Sequence, residues 1–368
     1  MSNAVFGKGL PRPSRGELAV YVVGSGVGES ITILLPDDRT IVVDACAVDG
    51  INLPAELLRH LGISSIDLLV LTHPDLDHVR GIAQIVDEFK PAEVWRYPLG
   101  SAPRDAIAKW ATNRNPDLLA ALEAMDRSLE RTGRVFSVHH GHCWPGDPGV
   151  VTLRAIAPTP KDLERMGKVW DRLVGPRPRM RAAIDRWLQE VVSGARPLGD
   201  AANVLSIGAV LTWESHKIVL GGDVMRGSRS PFSGWKGIVR ILEGRGPADL
   251  LSRASLVKVA HHGSRHSFDA EAWSLHSQGG KVRALVAPFR PSGLPDEHCL
   301  SDLRSHVCDL GISSLDDRGH ARVAAAGWTQ DSTKQCSSSA AKYGCCGAIL
   351  SAGGALRVWS AGDGAAFS

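Results

Sequence analysis

The sequence predicts an α/β protein, and three features carry that expectation. Short β-branched and apolar runs recur along the chain, stretches with a helical apolar stripe alternate with them, and three of the apolar runs end abruptly on histidine or aspartate. Residues 19–24, 30–36 and 40–45 read as strands, separated by a Gly-rich segment and a Pro36-Asp37-Asp38 turn. Residues 53–61 read as a helix. The nearly all-apolar run 66–71 reads as a central strand covered on both faces. Residues 77–90 follow as a helix whose Val79, Ile82, Ile85, Val86 and Phe89 form one buried stripe. The middle is less regular: 104–133 and 160–194 read as helical, the second carrying Lys161, Arg165, Lys168, Arg172, Arg177, Arg179, Arg181 and Arg186. Strands resume at 150–158, 205–213, 217–222, 256–260 and 283–288, and 301–311 reads as a helix. Residues 329–354, rich in Ser, Ala and Gly, are expected to form a loop or loosely ordered segment before a last strand at 355–360.

Composition bounds the class without choosing a function. At 368 residues, 43% hydrophobic and 22% charged, the chain is long enough to bury a sizeable core. A net charge of +3 neither demands nor excludes nucleic acid. No run approaches the roughly 18 apolar residues of a membrane span, and the first 20 residues lack the apolar centre of a signal peptide. The expectation is a cytoplasmic protein without a membrane partner. The seven cysteines are scattered and form no CxxC pair, as expected of reduced structural thiols.

The chemistry concentrates at the ends of three apolar runs. The first ends on His73-Pro74-Asp75-Leu76-Asp77-His78, the second on Gly221-Gly222-Asp223, the third on His261-His262-Gly263-Ser264. Imidazoles and carboxylates at strand ends are costly unless satisfied, and a divalent cation satisfies several at once. Along an extended loop His73 and Asp75 can share one side, while Asp77 and His78 diverge toward a second position. One such residue is ordinarily a core histidine or a helix cap, a role also open to Asp77. Four in six positions, echoed by two further clusters, point instead to a centre for two ions.

These clusters, in this order, resemble the metallo-β-lactamase superfamily and its His-x-His-x-Asp-His signature, with Asp75 in place of the second histidine. Residues 41–45, ending in Asp44-Ala45, resemble the family's early strand-Asp motif. The Leu-Thr-His-Pro-Asp context and the His-His-Gly-Ser motif are similar to the hydrolase domain of the ComEC-type DNA-uptake proteins. Residues 23–30 stand where those proteins have a Gly-rich segment, but match it poorly.

The resemblance implies an αββα sandwich: a single domain over 1–368 with a core over about 18–325. Helical insertions would lie at about 104–133 and 160–194, and a C-terminal extension at about 326–368. It implies that His73 and Asp75 hold a first metal, that Asp77 and His78 help hold a second, and that Asp223 bridges both. His262 is read as the second-metal ligand and His261 as a contact to the substrate or its transition state, although spacing leaves their exchange open. On this reading Asp77, Asp223 and His261 form the catalytic set.

The family usually supplies another histidine to the first metal. No residue clearly occupies that place, with His139, His140 and His142 lying earlier in the chain. Asn203 is better placed, as a weak oxygen ligand or substrate contact. The oxygen-rich donor set favours Mn²⁺ or Mg²⁺ relative to a three-histidine zinc site, so the expected cofactors are two divalent ions, Zn²⁺ or Mn²⁺, with Mg²⁺ admitted.

The implied reaction is hydrolysis by an activated water, which needs no side-chain nucleophile. Ser264 is therefore read as shaping its loop or donating to substrate, with Arg265 and His266 as contacts to an anionic group. A phosphodiester substrate, DNA or another nucleic acid, is preferred, supported by Arg226, Arg229, Lys236, Arg240 and Arg245 after Asp223. Trp235 and Phe232 could stack on unpaired bases there, but core or loop packing is the preferred reading for both. Small esters, lactones, thioesters or cyclic nucleotides form the alternative substrate class. A metal-binding regulatory module without catalysis is the alternative of another kind.

Overall fold

A computed structural model describes residues 3–6, 9–98, 116–145, 150–165, 203–227, 233–245, 249–336 and 343–368. Its first half opens with strands β1 (Glu17–Val23), β2 (Ser30–Leu34) and β3 (Thr40–Val43), then the short hairpin β4 (Ala47–Val48) and β5 (Ile51–Asn52). β6 (Leu68–Leu71), β7 (Glu93–Arg96), β8 (Val135–Ser137), β9 (Cys143–Trp144) and β10 (Val151–Ala155) follow. The second half holds β11 (Ala209–Trp213), β12 (His216–Leu220), β13 (Leu256–Lys258), β14 (Val282–Val286) and β15 (Val307–Ile312). β16 (Gln335–Cys336), β17 (Cys345–Ser351), β18 (Leu356–Ala361) and β19 (Ala365–Phe367) close the chain. One sheet has the order β16-β18-β17-β1-β2-β3-β6-β7-β8, the other β19-β15-β14-β13-β12-β11-β10-β9.

Alternation along each strand separates the layers. In β6, Leu68 and Val70 enter a core shared with Ile218, Leu220, Leu256 and Leu285 of the other sheet. Leu69 and Leu71 face the opposite way, toward the helices Ile82–Phe89 and Pro116–Leu129. In the second sheet Val219, Val257 and Val286 turn outward onto the helices Gly234–Arg245, Ala270–His276 and Glu297–Leu303. The result is helix, sheet, sheet, helix. No described helix is long and apolar enough to cross a membrane.

The parallel strands position the site. β3, β6 and β7 run parallel in one sheet, β12, β13 and β14 in the other. Asp44, Thr72-His73, Asp223 and His261-His262 all lie just beyond the carboxyl ends of β3, β6, β12 and β13, where open α/β sheets commonly place ligands.

Four expectations need correction. The stretch 77–90 is not one helix: Leu76–Val79 and Ile82–Phe89 are separated at Gly81, whose φ of 105° breaks the helical path. The stripe residues Val79, Ile82, Ile85, Val86 and Phe89 are nonetheless all buried. Asp77 does not cap a helix; Asp75 holds the N-cap position, and its side chain makes no capping bond. Residues 301–311 are not one helix either. The helix Glu297–Leu303 ends early, and Val307–Ile312 is a strand between β14 and β19.

The C-terminal residues come last: residues 337–342 lie outside the described residues, but 345–351, expected within a loop, form a strand, and the segment is not an extension outside the core. β17 pairs along its whole length with β1 and places Cys346, Ala348 and Leu350 in the core between the sheets, while β19 adds to the second sheet. Small side chains suit a strand this crowded: a Cβ at Gly347 would lie 2.3 Å from the Val20 carbonyl oxygen. Of the proposed insertions, the structure describes the helix Pro116–Leu129 and the helical residues 160–165; residues 99–115 and 166–202 lie outside the described residues.

Leu350→Ala should therefore lower unfolding free energy by about 2–5 kcal/mol, the usual cost of truncating a fully buried leucine. Denaturant unfolding measures this, and an unchanged midpoint would mean that β17 is not part of the core.

Candidate metal centre

The site is built from a carboxylate outward. Asp44, at φ 57° just after β3, accepts from the Thr72 backbone N–H at 2.8 Å and from the Thr72 hydroxyl at 2.5 Å. It also accepts from His78 Nδ1 at 2.8 Å. With its hydroxyl proton given to Asp44, Thr72 offers its oxygen as acceptor to His73 Nδ1, 2.9 Å away. Both imidazoles thus carry their proton on Nδ1, and both Nε2 atoms are left as lone-pair donors. These two Nε2 atoms are buried and have no hydrogen-bond partner among the described residues; the same is true of Asp223 Oδ1. Orphaned buried acceptors are costly, and the convergence of these atoms fits a divalent cation.

Two overlapping groups of ligand atoms, each within 4.8 Å of one another, come together here: His73, His78 and Asp223, and Asp77, His78 and His262. Asp223 Oδ2 stands centrally, 3.6 Å from His73 Nε2, 3.7 Å from His78 Nε2 and 3.9 Å from His262 Nε2. Asp75 Oδ2 lies 3.5 Å from His73 Nε2, Asp77 Oδ2 3.5 Å from His78 Nε2 and 3.1 Å from His262 Nε2. Hence all six residues expected to hold metal meet in one place, from both sheets. The chemistry of this donor set, imidazole nitrogens with carboxylate oxygens, fits a divalent cation.

Local backbone geometry makes the convergence feasible. Gly222, at φ 49°, turns β12 into Asp223; a Cβ there would lie 2.5 Å from the Ile207 carbonyl oxygen. The Asp223 backbone N–H then donates to Ser206 Oγ at 2.8 Å. His261 and His262 sit at φ 48° and 55°, which sends adjacent rings apart. His262 is buried, while His261 remains 21% exposed, with Nε2 3.9 Å from Asp223 Oδ2 and 3.4 Å from Asn203 Nδ2.

The remaining expected contacts divide. Asn203 is buried beside His261, with its Oδ1 unpartnered among the described residues. Ser264 is buried, and its hydroxyl accepts from the His266 backbone N–H at 3.3 Å, shaping the loop. Arg265 and His266 are exposed. His139 and His142 pack ring against ring at 4.7 Å, and His140 turns to the Ile156 carbonyl oxygen; none joins the ligand groups. Trp235 belongs to the core of the second sheet, so packing accounts for it. Arg229 and Phe232 lie outside the described residues.

Two residues essential to the arrangement had no assigned role in the sequence. Glu29 contacts His262 Nδ1 at 3.1 Å, and Lys258 pairs with Glu29 at 2.8 Å. A lysine in the middle of the apolar run 256–260 was the available signal, because lysine is rarely buried without a partner.

Electrostatics follow from this crowding. Burial opposes protonation of His262, but Glu29 and Asp223 outweigh it and raise its pKa to about 10. Burial likewise opposes protonation of His78, and Asp77, Asp223 and Asp44 together push it well above the usual imidazole range. Burial would raise Asp77 and Asp223, yet the neighbouring imidazoles, His78 foremost, hold both below the usual carboxylate range. His261 goes the other way: burial dominates and lowers it.

Residues 24–178 match the family model of the metallo-beta-lactamase superfamily. Together with the two facing sheets and their outer helices, this identifies the metallo-β-lactamase fold. No curated protein matches the chain. Among solved structures, it is similar to the metallo-beta-lactamase fold protein YhfI from Bacillus subtilis, at 11% identity over 82% of this chain and 97% of that one, with a TM-score of 0.41. A metallo-beta-lactamase from Cronobacter sakazakii aligns at 15% identity over 73% and 86%, TM-score 0.32. Zn²⁺-bound PqqB from Methylobacterium extorquens aligns at 10% over 65% and 71%, TM-score 0.33.

The raised His262 pKa sets a pH dependence. A histidine raised in the folded state stabilises the metal-free fold fully below its unfolded value near 6.5, and that contribution is lost as pH rises toward about 10. Chelator-treated protein should accordingly lose stability between pH 7 and 10 in denaturant titrations. Ligation requires unprotonated imidazole, so Zn²⁺ binding at pH 7 should release protons, read by calorimetry in buffers of different ionisation enthalpy. Zinc binding without proton release would contradict the assignment.

Proposed function

We propose that the protein is a metal-dependent hydrolase whose substrate is a phosphodiester, DNA or another nucleic acid. The observation that carries the hydrolase reading is the convergence of buried, unpartnered His73 Nε2, His78 Nε2 and Asp223 Oδ1 at the mouth of both sheets. His73 and Asp75 would hold one cation, Asp77, His78 and His262 the other, with Asp223 between them. Divalent ions bound there acidify water and neutralise negative charge on a substrate's reacting group.

The chain's own residues supply the rest. Asp44 and Thr72 keep the His73 and His78 lone pairs aimed inward. Asp77 and Asp223 contribute negative charge, which keeps two cations close together affordable. His261, with its pKa lowered by burial, is unprotonated at neutral pH and can take a proton at Nε2 or contact a substrate oxygen. Asn203, with Nδ2 on that ring nitrogen, orients it and holds a free carbonyl oxygen beside it.

The phosphodiester reading is supported by the exposed cations at the rim. Arg226 and Arg265 lie on the two loops that carry Asp223 and His262, joined by a bond from the Arg226 backbone N–H to the His266 carbonyl oxygen at 2.8 Å. The oxygen-rich set of Asp75, Asp77 and Asp223 suits in-line displacement at phosphorus and accommodates Mn²⁺ as well as Zn²⁺.

Purified protein incubated with single- and double-stranded DNA should cleave it with Mn²⁺ or Zn²⁺ and not with EDTA. Asp223→Ala should lower cleavage by more than the roughly 10- to 100-fold that loss of a supporting hydrogen bond costs, with its circular dichroism unchanged. Cleavage of small esters or cyclic nucleotides but not DNA would redirect the substrate class, and activity with zinc alone would count against the manganese assignment. The double variant Arg226→Ala/Arg265→Ala should raise KM for DNA with little change in kcat and flatten the dependence on salt. An unchanged salt slope would remove these residues from the phosphate path.

A further inference from the structure

Glu29 and Lys258 take no part in the ligand set, yet their side chains are 2% and 1% exposed, far too dry for charges without a purpose or a partner. Lys258 Nζ donates to Glu29 Oε1 at 2.9 Å, Glu29 Oε2 at 2.8 Å and the Val259 carbonyl oxygen at 2.9 Å, which uses all three of its protons. Glu29 Oε2 in turn lies 3.1 Å from His262 Nδ1, which also lies 3.0 Å from the Ala287 carbonyl oxygen. The other ring nitrogen, Nε2, points to Asp77 at 3.1 Å, and the Phe289 ring stacks on the imidazole at 5.2 Å.

The Ala287 carbonyl alone would place the proton on Nδ1. A carboxylate on the same proton does more, because its charge makes the Nε2 lone pair a stronger donor. Glu29 reaches this position because Gly28 lets the loop before β2 press against the site. A Cβ at Gly28 would lie 2.7 Å from the Asp77 carbonyl oxygen, and the Glu29 backbone N–H donates to that same oxygen at 3.1 Å. The first sheet thus sends a carboxylate across to a histidine of the second sheet, and Lys258 of the second sheet neutralises it.

We infer that Glu29, anchored by Lys258, is a positioning residue for His262: the buried pair fixes the ring with Nε2 toward the metal site, and its loss weakens ion binding more than it weakens the fold. The inference rests on the metal-centre reading.

Zn²⁺ titrated against a chromophoric chelator, in the full chain, tests it beside thermal unfolding of the metal-free protein. Removing one partner alone would strand a buried charge, so the informative variant is Glu29→Gln/Lys258→Met, which removes both charges while keeping similar volume. The wild type should bind two ions. The double variant should melt within a few degrees of it but hold one of the ions about 10- to 100-fold more weakly. A folded double variant that binds both ions with wild-type affinity would overturn the inference and leave the metal centre standing. Should the double variant not fold, Glu29→Asp, which keeps the charge but draws it back by one methylene, carries the same comparison: weakened binding supports the assignment, unchanged binding overturns it. A wild type that binds no Zn²⁺ would overturn the metal-centre reading itself, and the inference with it.

Discussion

The Asp44 carboxylate is the interaction on which the site depends. It is buried, it lies at the end of β3, and its two oxygens accept from the Thr72 amide, the Thr72 hydroxyl and His78 Nδ1. Two histidines are oriented by this one group, one directly and one through a hydroxyl. Because β3 and β6 are parallel neighbours, Asp44 and Thr72 emerge side by side, and the register of the sheet becomes the register of the ligands. A one-residue slip between these strands would turn every side chain to the opposite face. Over 41–43 and 68–71 the strands themselves are apolar and buried on both faces, so the bonds from Thr72 and His78 to Asp44, which a slip would break, are what distinguish this register.

The second half of the centre obeys the same logic from the other sheet. There the carboxylate is borrowed: Glu29 comes from the first sheet and His262 from the second, so the supporting bond crosses the interface. The core between the sheets, with Val22, Ile31, Leu285 and Ala287 all buried, holds the two sheets in the relation that this contact needs. Any sliding of one sheet over the other would move His262 away from Asp77 and Glu29 together. A second tie across the interface, from His216 Nε2 to the Ser351 carbonyl oxygen at 2.8 Å, resists the same motion from β12 and β17.

Much of this was legible in the sequence, and the reasons differ from element to element. The ligand clusters stand out because polar residues abruptly end apolar runs, a local pattern that survives without knowledge of the fold. The break at Gly81 was hidden because the apolar stripe continues in phase across it; only a positive φ, stabilised by Asn52 Nδ2 donating to the Gly81 carbonyl oxygen, reveals two helices. Residues 301–311 read as one helix in isolation, although pairing on both sides with β14 and β19 imposes a strand on Val307–Ile312. β17 was missed for a similar reason. Its small residues look like a loop in isolation, and at Gly347 the Val20 carbonyl and the Trp359 ring leave no room for a side chain. Glu29 lies far from the clusters in sequence, and only tertiary packing brings it to His262.

The His261-His262-Gly263 turn shows how far the fold has been bent toward its site. Left-handed backbone at a non-glycine residue costs on the order of 1–3 kcal/mol, and here two successive histidines adopt it. In an ordinary strand their side chains would point to opposite faces of the sheet, one into the core and one into the helical layer. The double left-handed turn instead swings both rings to the mouth of the sandwich, with centroids 6.2 Å apart. His262 then meets Asp77, Glu29 and Ala287, while His261 meets Asp223 and Asn203. Those contacts offset the strain at His262, which is fully enclosed. His261 keeps an open edge, and its Nδ1 has no hydrogen-bond partner among the described residues. The strained turn thus sets His261, with one edge open, beside Asp223, the carboxylate whose Oδ2 also lies 3.6, 3.7 and 3.9 Å from the Nε2 atoms of His73, His78 and His262.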